Sequence, residues 1–341
     1  MTSTEVRVPV DAASVKRLAN GFCTAKILLT GAELGLFETL AAGPATESEI
    51  VARLGLNGRG LRDFLGSLVA LGLLLRSGEQ YANTEIADRF LARAGGEYLG
   101  GFLHRADAML YPVWGRLGDA LRTGEPQVAD AGDGSFGHMI ADPARLRQFL
   151  GMMDAMNGPV AGLLADAFDW SQYRSFADIG GARGNLAARL VTARPHLSAT
   201  VFDLPEMAEP FAEHMDRHGT AASVLFTGGD FFADPLPSAD VLIFGHVLHD
   251  WSAAQNAALL ANAYESVPVG GAVLVYDAML DPDVPDLARM LVSLNMLLVT
   301  ARGAEYPVAD CRDWYRLAGF TDVTARPLGA NDTLVIGYRR K

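Results

Sequence analysis

Phe176-Ala177-Asp178-Ile179-Gly180-Gly181-Ala182-Arg183-Gly184-Asn185-Leu186 decides how this chain is read. The stretch passes from an apolar strand end through a glycine-rich turn into the first turn of a helix. Gly180 and Gly181 let the backbone approach a ligand closely, and Gly184 permits tight packing of the new helix against a sheet. The dinucleotide fingerprint G-x-G-x-x-G would require glycine at Ile179, so the turn fails as a pyrophosphate cradle. Asp178 places a carboxylate at the strand end instead, which repels phosphate and suits an ammonium group or a ribose hydroxyl.

Outward from that turn the second half keeps one rhythm. Short apolar runs, Ser175 to Ile179, Ala199 to Asp203, Val224 to Gly228, Val241 to Phe244, Ala272 to Tyr276, Thr321 to Arg326 and Thr333 to Tyr338, alternate with amphipathic stretches. This is a βαβ pattern, and it predicts a mostly parallel, Rossmann-like α/β sheet of seven strands with helices on both faces and ligands beyond the strand ends. The second run ends in Phe202-Asp203-Leu204-Pro205, where the Asp203 carboxylate is placed to accept both hydroxyls of an adenine-linked ribose. A helix N-cap is the plainer reading of the same aspartate. The third run ends in Gly228-Gly229-Asp230-Phe231-Phe232, offering Asp230 to an adenine amino group and Phe231 to its ring face. Three acids after three successive strands, one of them suited to an ammonium group, point to S-adenosylmethionine.

The first half is helical. Apolar residues recur at helical spacing from Leu18 to Leu40, Thr46-Glu47-Ser48-Glu49 is a capping box, and Asn57 is placed to cap a helix running from about Arg59 to Leu71. Leu73 to Arg76 and Gln80 to Ala82 then flank the turn Ser77-Gly78-Glu79, completing a winged-helix order. A winged helix raises a second class of function, a ligand-sensing DNA-binding regulator. Its recognition helix would present only Arg59 and Arg62 beside Asp63, and the chain of 341 residues carries a net charge of -12, so nucleic acid is not an expected partner. Association of two copies through this Leu- and Ala-rich region is the expectation instead. Between Tyr98 and Pro159 large side chains gather, Met109, Tyr111, Trp114, Phe149, Met152, Met153 and Met156, and Asn157 is counted with Met109, Trp114, Phe149, Met153 and Met156 toward a substrate pocket. Phe149, Met153 and Met156 share a helical face, which is ordinarily core but here immediately precedes the ligand-binding half and is read as the roof of a pocket for a flat apolar molecule.

Cys23 and Cys311 sit in no metal-type spacing, and neither a disulfide nor a metal is expected. His214 and His218, four apart on a helix, lack a third ligand and are read as a solvated face. The N-terminal residues lack the charged-then-apolar order of a signal peptide and no apolar run reaches the ~18 residues of a membrane span, so the expectation is a soluble, cytoplasmic protein.

The fourth run ends in Gly245-His246-Val247-Leu248-His249-Asp250-Trp251. Taken in order, Asp178 to Gly184, Asp203-Leu204-Pro205, Gly229-Asp230 and Leu248-His249-Asp250-Trp251 resemble the S-adenosylmethionine-dependent small-molecule O-methyltransferases of plant phenolic and bacterial natural-product pathways. The resemblance covers nearly the whole chain, and Ala32 to Phe37 with Leu71 to Leu74 resemble that family's N-terminal winged-helix dimerisation domain. It implies a homodimer with a dimerisation domain over residues 1–100, a helical linker over 101–160 contributing to the substrate pocket, and a cofactor-binding catalytic domain over 161–341. It implies His249 as general base toward a hydroxyl of a small aromatic substrate, with Asp277, where plant members carry a glutamate, and Glu305 as the acids that orient it. Asn295 and Met296 fall on the pocket-lining segment, and Gly245 stands where plant members have a lysine near the cofactor. Methyl transfer to carbon or nitrogen would begin with the same alignment and stays open.

Overall fold

The computed structural model describes residues 11–95, 97–128 and 142–341. The chain forms two compact units, divided after Pro112. Residues 101–112, expected to belong to the 101–160 segment, lie in the first.

In that first unit the helices are α1 (Ala12–Ala19), α2 (Gly21–Glu33), α3 (Leu36–Ala41), α4 (Glu47–Leu54), α5 (Leu61–Ala70), α6 (Glu85–Leu91) and α7 (Gly100–Arg105). Strands β1 (Ala45–Thr46), β2 (Leu74–Ser77) and β3 (Gln80–Asn83) form a small sheet in the order β1-β3-β2. The expected capping box is present: Thr46 Oγ1 accepts from the Glu49 amide while the Glu49 side chain accepts from the Thr46 amide. Two expectations are corrected. The helical run from Leu18 to Leu40 is broken at Asn20 and at Gly35, the latter in the left-handed region at φ 71°. Asn57 caps nothing, because the next helix starts at Leu61 behind Gly60 at φ 78°. Leu36, Phe37, Leu40, Ile50, Leu65, Leu68 and Tyr81 make the core.

The second unit is built on a sheet of β4 (Ser175–Ile179), β5 (Ser198–Asp203), β6 (Val224–Gly228), β7 (Val241–Gly245), β8 (Ala272–Asp277), β9 (Asp322–Leu328) and β10 (Asp332–Tyr338). Its order is β6-β5-β4-β7-β8-β10-β9, parallel except for β10, which runs antiparallel between β8 and β9. Because side chains alternate along a strand, Phe176, Val201, Ile243 and Leu274 face one way and Ala177, Phe202, Phe244 and Val275 the other. The first set packs on helices Pro143–Ala167, Asn185–Ala193 and Ala208–His218, the second on Ala253–Ser266 and Val308–Ala318. Both faces are covered, which is why these strands read as unbroken apolar runs. Strand order reverses between β4 and β7, so a crevice opens past their carboxyl ends. Among the described residues no helix is long and apolar enough to cross a membrane.

Candidate active site

The glycine-rich turn leaves β4 as the sequence requires. Gly180 (φ 69°) and Gly184 (φ 79°) hold left-handed backbone, and so does Ala182 at φ 50°. Space is as limiting as conformation. A Cβ on Gly184 would sit 3.0 Å from Val201 in β5 and 3.1 Å from Met215 in the facing helix, and one on Gly181 would lie 2.6 Å from Asp178 Oδ2. That oxygen is buried with no hydrogen-bond partner among the described residues. Burial first, and then the neighbouring Asp203 charge, push the Asp178 carboxyl up to about 7. A buried carboxylate without a counter-cation, bordered by a glycine whose side chain would cover it, fits an ammonium group, which supplies donors and charge together.

Asp203 accepts from the backbone amides of Ala182 and Leu204, each at 2.7 Å, one oxygen to each. It therefore bolts the turn to the end of β5 and caps no helix. Burial raises its pKa and these two amides pull against that rise. Asp230 is exposed and its Oδ1 accepts from the Phe232 amide at 2.8 Å. Phe231 is half-buried, edge-on to Trp251 with ring centroids 5.7 Å apart, and its ring edge lies 3.8 Å from where a Gly180 Cβ would be. Gly245 has little room for a side chain. A Cβ there would fall 2.1 Å from the ring of Tyr276, directly across the β7–β8 register, so Tyr276 occupies the space a larger residue would take.

His249 lies in the short turn Leu248–Asp250 after β7. Its Nδ1 donates to Glu305 Oε1 at 2.7 Å and stands 3.3 Å from Asp277 Oδ1, so the aspartate reaches the ring despite its shorter arm. Tyr306 fixes the far side of Asp277, its hydroxyl donating to Oδ2 at 2.5 Å. Nε2 makes no hydrogen bond among the described residues, and Asp250 Oδ1 lies 3.9 Å from it. Burial opposes a charged imidazole, but Asp277, the Glu305 hydrogen bond and Asp250 outweigh it and raise His249 to about 10. Burial also lifts Asp277, to about 7, against the pull of His249.

Several pocket candidates meet in the second unit. Trp114 Nε1 donates to Asn295 Oδ1 at 2.8 Å. Asn157 Oδ1 is 3.0 Å from His246 Nδ1, and the His246 ring lies nearly parallel to that of His249 at 5.8 Å. Phe149 packs with Leu146, Leu150, Met207 and Ala182, beside the glycine turn. Met153 and Met296 are half-buried. Met109 lies in the first unit, and the Met156 side chain lies outside the described residues. His214 corrects the expected solvated face: it is buried, its Nε2 is 3.3 Å from Asn185 Oδ1, and burial drives its pKa down to about 3. His218 is exposed. Beside it Arg183 of the glycine turn pairs with Asp154 of the Pro143–Ala167 helix, a link no motif announces. Tyr306 and Tyr276 also escaped the sequence reading. Only strand register shows that Tyr276 complements Gly245.

A sheet of this order, with that turn after β4 and acids after β4 and β5, defines an S-adenosylmethionine-dependent methyltransferase. The chain belongs to the O-methyltransferase family: residues 114–321 match its O-methyltransferase domain and residues 16–93 its dimerisation domain. It is 51% identical over 338 residues to the tetracenomycin polyketide synthesis 8-O-methyl transferase TcmO of Streptomyces glaucescens, covering 98% of each chain. It is 41% identical to the N,N-dimethyltransferase OxyT of Streptomyces rimosus, covering 94% of each. The crystal structure of human N-acetylserotonin methyltransferase in complex with S-adenosylmethionine superposes with a TM-score of 0.87 at 30% identity, over 100% of both chains.

Proposed function

We propose that this enzyme methylates a hydroxyl of a small aromatic compound, with His249 as general base and Asp277 and Glu305 as the acids that orient it. The observation that carries this reading is the pairing of Nδ1 with both carboxylates, which turns Nε2 away from them. When bound, S-adenosylmethionine supplies an electrophilic methyl group on a sulfonium. Asp178 would meet its ammonium group, Asp203 with Leu204 its ribose, the backbone of Gly180, Gly181 and Gly184 its near edge, and Asp230 and Phe231 its adenine. Trp114, Phe149, Met153, Asn157, Asn295 and Met296 would hold the flat substrate. Alignment of the hydroxyl supplies much of the rate. Nε2 takes the hydroxyl proton as the oxygen–methyl bond forms. A phenol has a pKa near ~10, and an imidazole raised toward that value is matched to it, whereas a free imidazole at ~6.5 is not.

The His249, Asp277 and Glu305 donor atoms lie within 4.8 Å of one another, close enough to raise the question of a metal. Their spacing fits a hydrogen-bonded set better. Tetrahedral zinc with bonds of about 2.0–2.1 Å keeps two ligand atoms about 3.3 Å apart, well beyond 2.7 Å. Incubation with a chelator should leave turnover unchanged.

A panel of phenols, catechols and aromatic amines, assayed with S-adenosylmethionine and read by mass spectrometry, tests the reaction class. O-methyl products are expected. N-methyl products alone would select the second reading, which the similarity to OxyT keeps in view. On the identified substrate, His249→Ala should lower kcat about 100-fold or more while S-adenosylhomocysteine affinity stays within about threefold. Parent turnover should climb as pH rises from neutrality toward about 10, because the neutral imidazole is the active form. Near-normal turnover of His249→Ala across this range would overturn the base assignment. The homodimer is likewise part of this reading, on the strength of the dimerisation-domain match.

A further inference from the structure

Arg183 stands between two left-handed residues of the glycine turn, Ala182 at φ 50° and Gly184 at φ 79°. At a residue that carries a side chain such backbone is strained, and it persists only where the surroundings fix it. Asp203 fixes the front of the turn through the Ala182 amide at 2.7 Å. The rear is fixed by Arg183 itself. Its Nε donates to Asp154 Oδ2 at 2.9 Å, and its Nη2 donates to the same oxygen. The two side chains are only 14% and 18% exposed. Asn185, which opens the next helix, donates from Nδ2 to the Asp154 carbonyl at 3.5 Å and accepts at Oδ1 from Arg189 Nε at 3.2 Å. Both residues that flank Gly184 are therefore bound to one point of the Pro143–Ala167 helix.

That point lies within the stretch that supplies the candidate pocket. Asp154 follows Met153 directly and precedes Asn157 by three residues, and Asn157 Oδ1 is 3.0 Å from His246 Nδ1 just past β7. Phe149 and Ala182 pack on the same cluster of Leu146, Leu150 and Met207. A pair held this far from water is a poor source of stability, because burial raises the Asp154 carboxyl above its ordinary value and Arg183 has to work against that cost. What it supplies is registry, since a hydrogen-bonded guanidinium accepts one placement of its partner where apolar contact accepts several. We propose that Arg183 and Asp154 are positioning residues for methyl transfer: their pair locks the turn that receives the cofactor to residues 149–157, so that ordering of the turn by the cofactor also orders the wall against which the substrate lies. This rests on the placement of cofactor and substrate proposed above. A substrate that meets a wall already ordered loses less conformational freedom on binding, and coupling of this kind amounts to about 5–150-fold in affinity.

Hydrogen exchange read by mass spectrometry, on the whole enzyme with and without S-adenosylhomocysteine, is the test. In the parent the ligand should slow exchange about fivefold or more both in residues 178–186 and in residues 149–157. Slowing at the turn alone would overturn the proposal and leave the cofactor placement standing, whereas slowing in neither segment would overturn that placement and the proposal with it. Arg183→Gln and Asp154→Ala each remove the pair, and either serves if the other does not fold. In these variants the ligand should still protect the turn, while its effect on residues 149–157 drops below about twofold. The variant carrying both changes should lose no more than each alone, and Arg183→Lys, which keeps a charged donor, should retain most of the effect. A merely structural pair would, when removed, speed exchange with and without ligand alike and leave the ligand's effect on residues 149–157 unchanged, and that result would overturn the proposal.

Discussion

Asp178 shows how a single side chain carries both the legible and the hidden part of this site. Its position at the end of β4 could be read from the motif, and so could its preference for an ammonium group. Its isolation could not, because the orphaned Oδ2 and the closeness of Asp203 depend on how β4 and β5 lie side by side. The consequence is a linkage of stability to pH. The folded-state pKa, about 7, exceeds the unfolded value near 3.8, so between those limits the folded protein binds the extra proton and stability from this group falls as pH rises. Asp178→Asn removes the penalty. Relative to the parent, the variant should gain roughly 3 kcal/mol between pH 5 and pH 8 while losing at least tenfold in S-adenosylhomocysteine affinity. Denaturation curves at several pH values, with calorimetry for the ligand, check both, and parallel stability curves for the two proteins would contradict the account. The same limit on sequence reading applies to His249. The histidine and its two acids were identified by resemblance, but that a one-methylene-shorter aspartate arrives within 3.3 Å, steadied by Tyr306, is a matter of packing.

The strands were legible and the helix boundaries of the first half less so. Seven runs became seven strands with ends displaced by no more than two residues; β4, β7 and β8, buried on both faces, leave an unbroken apolar signature, whereas the edge strands β6 and β9 are largely exposed and were legible from the βαβ rhythm around them. Near Gly35 and Asn57 the helix ends are set by left-handed Gly35 and Gly60 and not by polar caps, and the break at Asn20 (φ -84°) involves no left-handed glycine. Gly245 belongs at this scale. It terminates β7 opposite Tyr276 of β8, and the pair behaves as one packing unit spread over two strands. Gly245→Ala should destabilise the protein by about 1–3 kcal/mol, since the ring cannot withdraw from a fully enclosed site, and Tyr276→Leu should recover a large part of that loss. A double-mutant cycle measures this directly, and additive single effects would contradict it.

In the molecule as a whole, the surface of the first unit bears on assembly. Val15, Leu18 and Phe22 are exposed at 56%, 73% and 60%, spaced three and four residues apart along α1 and the start of α2. Such a stripe is costly to leave in water and fits burial against a second copy. Leu18→Asp with Phe22→Asp should convert a dimer to a monomer by light scattering at micromolar concentration, and a parent that is itself monomeric would remove the dimer from the proposed function. The Pro143–Ala167 helix has a consequence of another kind. Upstream of Pro159 it carries Phe149 beside the glycine turn and Asn157 against His246, among the buried Leu146, Leu150 and Met152, whereas downstream Val160, Ala161, Leu164 and Ala165 are embedded against the sheet. Inheritance can therefore treat the two halves differently. On the proposed pocket, substitutions at the half-buried Phe149, Met153 and Asn157 can redirect what is methylated without forfeiting a folded protein, while those at Val160, Ala161, Leu164 and Ala165 are removed by selection before any new substrate is tried.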